Sequence, residues 1–135
     1  MTEEDFIKSL KIEENVFELL EDTELEYIEH FAAPFTGGNS CIVPKGFRFY
    51  PEEAVGSDTF YLYVLNDINE ELCKGLLEKM IDKVKEQYPA QLAQRLTAFT
   101  FFITEKQVEE APLHFISGSK ERLLEIFRLL KKRTR

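Results

Sequence analysis

The chain has 135 residues, of which 44% are hydrophobic and 31% charged, and its formal net charge is −8 at pH 7. This length fits about one domain, and the hydrophobic fraction excludes an intrinsically disordered chain. No apolar run approaches the ~20 residues that cross a bilayer, and the acidic start MTEEDFIKSL lacks the apolar stretch of a secretory signal. We therefore expect residues 1–135 to form a single cytoplasmic domain with no membrane association.

The first half of the chain is expected to contain mostly strands. Two helices precede them, over residues 2–10 and 12–22, and four strands follow, at about 24–31, 41–43, 47–50 and 59–65. The segment 12–31 fits two patterns, because its apolar residues also suit two strands that meet at Asp22-Thr23. The run Gly37-Gly38-Asn39 predicts a loop. The last of the four strands is apolar on both alternating faces, which predicts a position in the middle of the sheet.

The second half is expected to alternate helices and strands. Its elements are a long helix at about 68–88, a short helix ending near 95, a strand to 104, an exposed connection over 105–111, a short strand over 113–116 and a long helix at about 118–133. The segment 90–100 also fits a continuous helix, because Leu92, Leu96 and Phe99 have helical spacing. Leu76, Met80 and Val84 recur at helical spacing and mark the buried side of the first long helix. The sequence therefore predicts an α+β domain, in which a mostly antiparallel sheet of about 4–6 strands packs against the two long helices, with the short N-terminal helix beside it.

Acidic residues are concentrated in the first half. Residues 1–66 carry 14 acidic and 4 basic side chains, whereas residues 67–135 carry 11 and 13. Such an acidic surface attracts a basic protein and repels the phosphates of a nucleic acid, which makes a nucleic-acid partner unlikely. The candidate partner face consists of four carboxylates from this half, Glu18, Glu21, Glu24 and Glu26. The alternative is that these side chains form only a solvated outer face.

Aromatic residues offer a second candidate site. The chain has 12 phenylalanines and five tyrosines, more rings than a small core needs. Tyr50, Tyr61 and Tyr63 each combine a ring with a hydroxyl group, and they are the candidate lining of an aromatic pocket between the sheet and a helix. Packing of the same rings in the core is the alternative.

Residues suited to catalysis or metal binding are sparse. The soft ligands are His30, Cys41, Cys73 and His114, and no two of them have the i,i+4 or CxxC spacing of a metal site. A Cys41 nucleophile could use His30 or His114 as its base, but a cysteine on a strand is more often buried and inert. We therefore assign no catalytic residue, no metal and no cofactor, and we expect both cysteines to be free thiols.

The segment KGFRFYPE, Lys45–Glu52, partly resembles the RNA-binding strand of RNA-recognition-motif domains. The family pattern Lys/Arg-Gly-aromatic-Gly/Ala-Phe-Val-x-aromatic is matched at four positions, Lys45, Gly46, Phe47 and Phe49. It is broken where a small residue, a valine and a third aromatic ring are required, at Arg48, Tyr50 and Glu52. Because the surrounding half of the chain is acidic, we expect the phenylalanines to enter the core of a β-hairpin instead of stacking on bases.

These features favour a non-catalytic protein-interaction or regulatory module whose partner has a basic surface. The alternative is a small-molecule-binding or enzymatic domain with an aromatic pocket between sheet and helix. RNA binding through Lys45–Tyr50 is a third, less favoured interpretation.

Overall fold

The computed structural model describes residues 2, 5, 9–32, 35–55, 58–65 and 70–133, which build a seven-stranded antiparallel sheet with helices packed on one face. The strands are β1 (Phe17–Leu19), β2 (Thr23–Phe31), β3 (Phe35–Val43), β4 (Arg48–Ala54), β5 (Thr59–Val64), β6 (Leu96–Thr104) and β7 (Leu113–Phe115). The α-helices are α1 (Glu70–Gln87), α2 (Ala90–Ala93), α3 (Glu105–Glu110) and α4 (Lys120–Arg133), and a 3-10 turn covers Ile12–Glu14. Across the sheet the strand order is β3-β2-β6-β5-β4-β1-β7.

This architecture confirms the α+β class and the antiparallel sheet, but the sheet has seven strands instead of 4–6. The additional strand is β1, in a segment that we expected to be helical. The helices predicted at 68–88 and 118–133 correspond to α1, with 18 residues, and α4, with 14. The short helix predicted over 2–10 lies largely outside the described residues. Within the described ranges, no helix combines the length and the hydropathy that crossing a membrane requires.

The helix predicted over 12–22 is wrong because the local apolar period is two. Phe17 and Leu19 are both 0% exposed, and the intervening Glu18 points to the other side of the sheet. β1 pairs with β4 on one side and with β7 on the other. β2 lies four positions away in the sheet, so the two strands that meet at Asp22-Thr23 do not pair as a hairpin.

The loop predicted at Gly37-Gly38-Asn39 is also wrong, since these residues lie within β3. β3 pairs with β2 at nine consecutive positions without a register shift. A Cβ at Gly37 would overlap the Tyr88 hydroxyl and come within 2.6 Å of Glu29 Oε1. This glycine therefore allows close packing of the strand against the residue that follows α1, and it does not mark a turn.

The exposed connection predicted over 105–111 is largely helix α3. The Thr104 hydroxyl accepts the backbone N–H of Gln107 at 3.3 Å, and Gln107 Oε1 accepts the backbone N–H of Thr104 at 2.9 Å. This reciprocal capping box starts the helix directly after β6. Val108, which is 0% exposed, then anchors α3 to the core.

The two long helices cover the same face of the sheet. Phe60 and Leu62 of β5 are buried on this face, and the Phe60 ring lies 4.4 Å from the ring of Phe127 in α4. Leu76 and Met80 of α1 belong to the same buried cluster. The opposite face of the sheet carries no helix in the described part of the chain, which leaves alternate side chains of every strand uncovered.

The segment before β1, residues 12–16, is hydrogen-bonded to the turn that precedes α4. Asn15, which is 1% exposed, donates its side-chain N–H to the Ile12 carbonyl at 2.9 Å. The Ser117 hydroxyl donates to the Glu14 carbonyl at 2.7 Å. Gly118 has a φ of 68°, and a Cβ there would overlap the Asn15 side chain. A glycine is therefore required at position 118 by both backbone conformation and space.

Candidate functional site

We call the side of the sheet that faces away from the helices the open face. Strand alternation decides which side chains it carries: on β5, Tyr61 and Tyr63 lie on the open face, whereas Phe60 and Leu62 point towards the helices. The strand register extends this assignment across the sheet. The open face includes Glu24, Glu26, Ile28 and His30 of β2, Thr100 and Phe102 of β6, Tyr61 and Tyr63 of β5, and Arg48, Tyr50 and Glu53 of β4.

One row of directly opposed residues crosses the open face. From β3 to β4 it consists of Ser40, Glu26, Phe102, Tyr61 and Glu53. Phe102 and Tyr61 are half-buried at its centre, and the carboxylates of Glu26 and Glu53 are exposed on either side. Three strand spacings, about 14 Å, separate the two glutamates. Rings placed between carboxylates suit a cationic side chain, because both groups attract positive charge.

Two tyrosines extend this surface on β4 and β5. Tyr50 and Tyr63 are directly opposed, with ring centroids 5.0 Å apart and ring planes at 23°. Tyr63 is 46% exposed. Desolvation, the neighbouring Tyr63 and the carboxylates of Glu52 and Glu13 raise the pKa of Tyr50. The acidic neighbourhood thus disfavours ionisation of the Tyr50 hydroxyl.

The four carboxylates of the candidate partner face do not lie together. Glu24 and Glu26 are exposed on the open face of β2. Glu18 lies on β1, four strand positions away, where its Oε2 accepts a 2.9 Å hydrogen bond from Arg48 Nε. Glu21 is exposed in the turn that leads into β2. The sheet thus places Glu24 and Glu26 on the same face as tyrosines that are distant in sequence. Glu18 is instead paired with Arg48.

The three candidate pocket tyrosines share the open face, and Tyr63 also lines a cleft between the sheet and α1. Tyr50 and Tyr61 are half-buried there beside the more exposed Tyr63. Sequence reasoning missed Phe102 as a member of this surface. The available signal was that Phe102 alternates with Phe101, so that it falls on the same side as Thr100.

The segment that resembles an RNA-binding strand does not expose its matching rings. Phe47 is 5% exposed and Phe49 is 0% exposed, and both belong to the core cluster. From this segment, Arg48 and Tyr50 reach the open face, and Arg48 is held by Glu18. Since bases stack on exposed rings, the placement of Phe47 and Phe49 agrees with the core of a β-hairpin and not with base stacking.

The cysteine and the histidines that could form a nucleophilic pair lie apart. Cys41 is opposite Leu25 on the helix-covered face, whereas His30 lies on the open face and hydrogen-bonds the Thr100 hydroxyl at 2.8 Å. His114 is on β7, at the far edge of the sheet. Burial raises the pKa of the Cys41 thiol to about 11, so it is protonated at neutral pH. Among the described positions, no group of three or more His, Cys, Asp or Glu residues could hold a metal ion.

Comparisons with protein-family models, with curated proteins and with solved structures each find no match to this chain. Function must therefore be argued from the charges and contacts of the described residues. Of the surfaces considered above, the open face is the one on which exposed rings and exposed carboxylates occur side by side.

Proposed function

We propose that this protein is a non-catalytic interaction module that uses its open face to bind a protein with a basic surface. The observation that supports this function is the row in which Phe102 and Tyr61 lie between Glu26 and Glu53. These four side chains come from four strands, so a rigid sheet sets their spacing. A rigid surface loses little entropy when it binds, which favours recognition of a folded partner.

Arginine is the partner residue that fits this row best. Its flat guanidinium group stacks on a ring such as Tyr61 and donates paired hydrogen bonds to a carboxylate such as that of Glu26. A cation above a ring contributes about 0.5–1 kcal/mol at an exposed site and more when water is excluded. The formal net charge of −8 adds long-range attraction that accelerates the encounter with a basic protein.

The same charges argue against RNA as the partner. Glu24, Glu26 and Glu53 surround the rings of the open face, and their carboxylates repel phosphate groups. The basic side chain of Arg48 is already engaged by Glu18. An RNA-binding sheet needs basic groups beside its rings, and carboxylates occupy those positions here.

Affinity capture with matched variants tests the proposal. The protein retained by the wild type is identified, purified and titrated against each variant by calorimetry. Glu26→Gln with Glu53→Gln should weaken binding by about tenfold or more, because both carboxylates that flank the rings are lost. The control, Glu71→Gln with Glu78→Gln, makes the same change in net charge on exposed positions of α1 and should alter affinity by less than about twofold.

A second pair of variants separates the rings from the charges. Tyr61→Leu and Phe102→Leu keep an apolar side chain but remove the face that attracts a cation, so each should weaken binding by several-fold. Cross-linking should place lysines and arginines of the partner against β2, β5 and β6. Equal affinity of all variants, or cross-links to an acidic or purely apolar surface of the partner, would contradict the proposal. Salt-sensitive binding of a single-stranded RNA by the wild type, lost in Tyr61→Leu, would replace it with RNA recognition.

A further inference from the structure

The sheet opens between β5, its central strand, and the neighbouring β6. The β5–β6 pairing ends at Leu62 opposite Phe101, yet β6 continues to Leu96 and pairs along that stretch with β2 alone among the described strands. β5 meanwhile stays paired with β4 as far as Val64. α1 lies across the gap, and the helix and the two strands enclose a cleft of ≈ 750 Å³, which we call the α1 cleft.

The walls of the α1 cleft are mostly apolar. Leu62, Phe99 and Phe101 line it from the sheet, and Leu76, Leu77 and Met80 line it from the helix. Leu77 is still 47% exposed, so α1 presents an apolar side chain to space that no described side chain fills. Small-molecule sites typically have volumes of about 300–1,000 Å³ and apolar walls, and the α1 cleft has both properties.

The polar groups of the cleft include the hydroxyl-bearing side chains of Tyr63, Thr97 and Thr100 and the backbone of β6. Below Phe101 the edge of β6 that would pair with β5 has no strand partner among the described residues. Along a strand, alternate peptide groups point to each edge, so some N–H and C=O groups between Leu96 and Phe101 are directed into the gap. A ligand with an amide or hydroxyl group can hydrogen-bond to these backbone groups.

The charged side chains at the rim carry both signs, with two carboxylates and one ammonium group. Lys74 lines the cleft together with the carboxylates of Glu70 and Glu52, and all three side chains are exposed. Among the described lining residues there is thus no excess of positive charge to hold an anion. An organic cation would in turn lie beside Lys74. Charged groups of both signs at the rim favour a ligand without a net charge.

We propose that the α1 cleft binds an uncharged small molecule with an apolar body and one amide-type or hydroxyl-type group. The apolar body lies between Phe99 and Phe101 of β6 and Leu77 and Met80 of α1, where it covers the exposed leucine. The polar group pairs with the free edge of β6. Most of its walls belong to the helix-covered side of the sheet, although Tyr63 and Thr100 are shared with the open face.

Titration with Nile red, an uncharged apolar dye with a carbonyl group, tests the site. The wild type should give a saturable, blue-shifted fluorescence increase. Leu77→Glu should weaken dye binding by about tenfold or more, because it places a charge in the apolar wall. The control Leu72→Glu changes a side chain of α1 that is 36% exposed and does not line the cleft, and it should change the affinity by less than about twofold. Anilinonaphthalene sulfonate, an apolar anion, should bind at least about tenfold more weakly than Nile red.

A measurement on the unmodified chain avoids any effect of the substitutions on folding. Cys73 lines the cleft and is half-buried, so saturating Nile red should slow its reaction with a maleimide several-fold. Equal dye affinity of Leu77→Glu and Leu72→Glu, or no protection of Cys73, would overturn the site, and equal binding of the anionic dye would overturn the ligand class. Phe102→Leu should leave dye binding unchanged, and Leu77→Glu should leave binding of a basic partner unchanged, which separates this test from that of the open face.

Discussion

The Tyr88 hydroxyl donates a 2.8 Å hydrogen bond to Oε1 of Glu29, a carboxylate that is 0% exposed near the end of α1. The other carboxylate oxygen, Oε2, has no hydrogen-bond partner among the described residues. The hydrogen bond to Glu29, with desolvation, raises the pKa of Tyr88 because an ionised phenol would lose the bond and face a negative charge. Among the described residues, the hydrogen-bond donor to the buried Glu29 side chain is thus the Tyr88 hydroxyl.

Replacing Tyr88 by phenylalanine should destabilise the fold. The variant removes the donor and leaves the Glu29 carboxyl group buried without it, which costs about 1–3 kcal/mol. Urea unfolding followed by circular dichroism at neutral pH measures the change in the free energy of unfolding. Tyr63→Phe, which removes a hydroxyl from a ring that is 46% exposed, is the control and should stay within about 0.5 kcal/mol of wild type. Equal stabilities of the two variants would show that Glu29 does not depend on Tyr88.

The Cys41 thiol should react slowly and only at high pH. Burial raises its pKa from 9.0 to about 11, so in a Cys73→Ser background its alkylation by iodoacetamide should have a midpoint near that pH. As the pH rises, the Cys41 thiol ionises in the unfolded chain before it ionises in the folded protein. The contribution of the raised pKa to the free energy of unfolding is therefore complete below pH 9 and is lost as the pH rises from 9 to 11. Cys41→Ala should reduce the decline in the free energy of unfolding over this range. A reaction midpoint at pH 9 or below would contradict the burial of Cys41.

Gly118→Ala should destabilise the protein by at least about 1 kcal/mol. The φ of 68° is unfavourable for alanine, and the added Cβ would overlap the Asn15 side chain and lie 3.0 Å from Asn15 Cα. Gly38→Ala is the matched control, since nothing lies within 4 Å of a Cβ at that position. Thermal unfolding of both variants measures the difference. Equal melting temperatures of Gly118→Ala and Gly38→Ala would show that the Asn15 side chain can move away from position 118 without loss of stability.

The sheet edge formed by β3 is protected near its middle by the side chains of Asn39 and Lys83. β3 is an edge strand of nine residues without a charge or a proline, a composition that favours pairing with another chain. The Ser40 N–H donates to Asn39 Oδ1 at 2.9 Å, and the Ser40 carbonyl accepts from Lys83 Nζ at 2.8 Å. These bonds occupy both backbone groups of Ser40, next to the central residue of the strand.

Lys83→Ala should therefore promote self-association through β3. The substitution frees the Ser40 carbonyl and removes a charge from the edge, whereas Lys85→Ala removes an exposed charge from the same helix without touching the strand. Size-exclusion chromatography with light scattering should show a concentration-dependent shift to higher mass for Lys83→Ala alone. Equal masses for both variants would show that Lys83 does not protect the edge.

Local periodicity predicted much of the secondary structure. The alternation of Phe60 and Leu62 with Tyr61 located a central strand, and Leu76 and Met80 marked the buried side of α1. Such signals depend on neighbours a few residues away. They predict the type of an element and its buried face, but they do not predict which strand or helix it packs against.

Strand pairing between distant segments determines the open face, and sequence alone did not predict it. Glu26, Phe102 and Tyr61 share a row because β6 pairs with both β2 and β5. Glu18, close to Glu26 in sequence, is carried to the other half of the sheet for the same reason. The alternation of Tyr61 and Tyr63 was visible, but the sequence did not show that the described helices would all pack on the other face of the sheet.

The place of β6 in the strand order bears on how the nascent chain acquires its structure. Residues 23–43 and 48–64 supply two ready-made hairpins, but the strand that joins them is synthesised about 40 residues later. Until Leu96–Thr104 leaves the ribosome, both hairpins expose an edge that the finished sheet conceals. Stalled or truncated translation products that end before this segment would therefore expose an unpaired strand edge on each hairpin. We expect chaperones to bind such products.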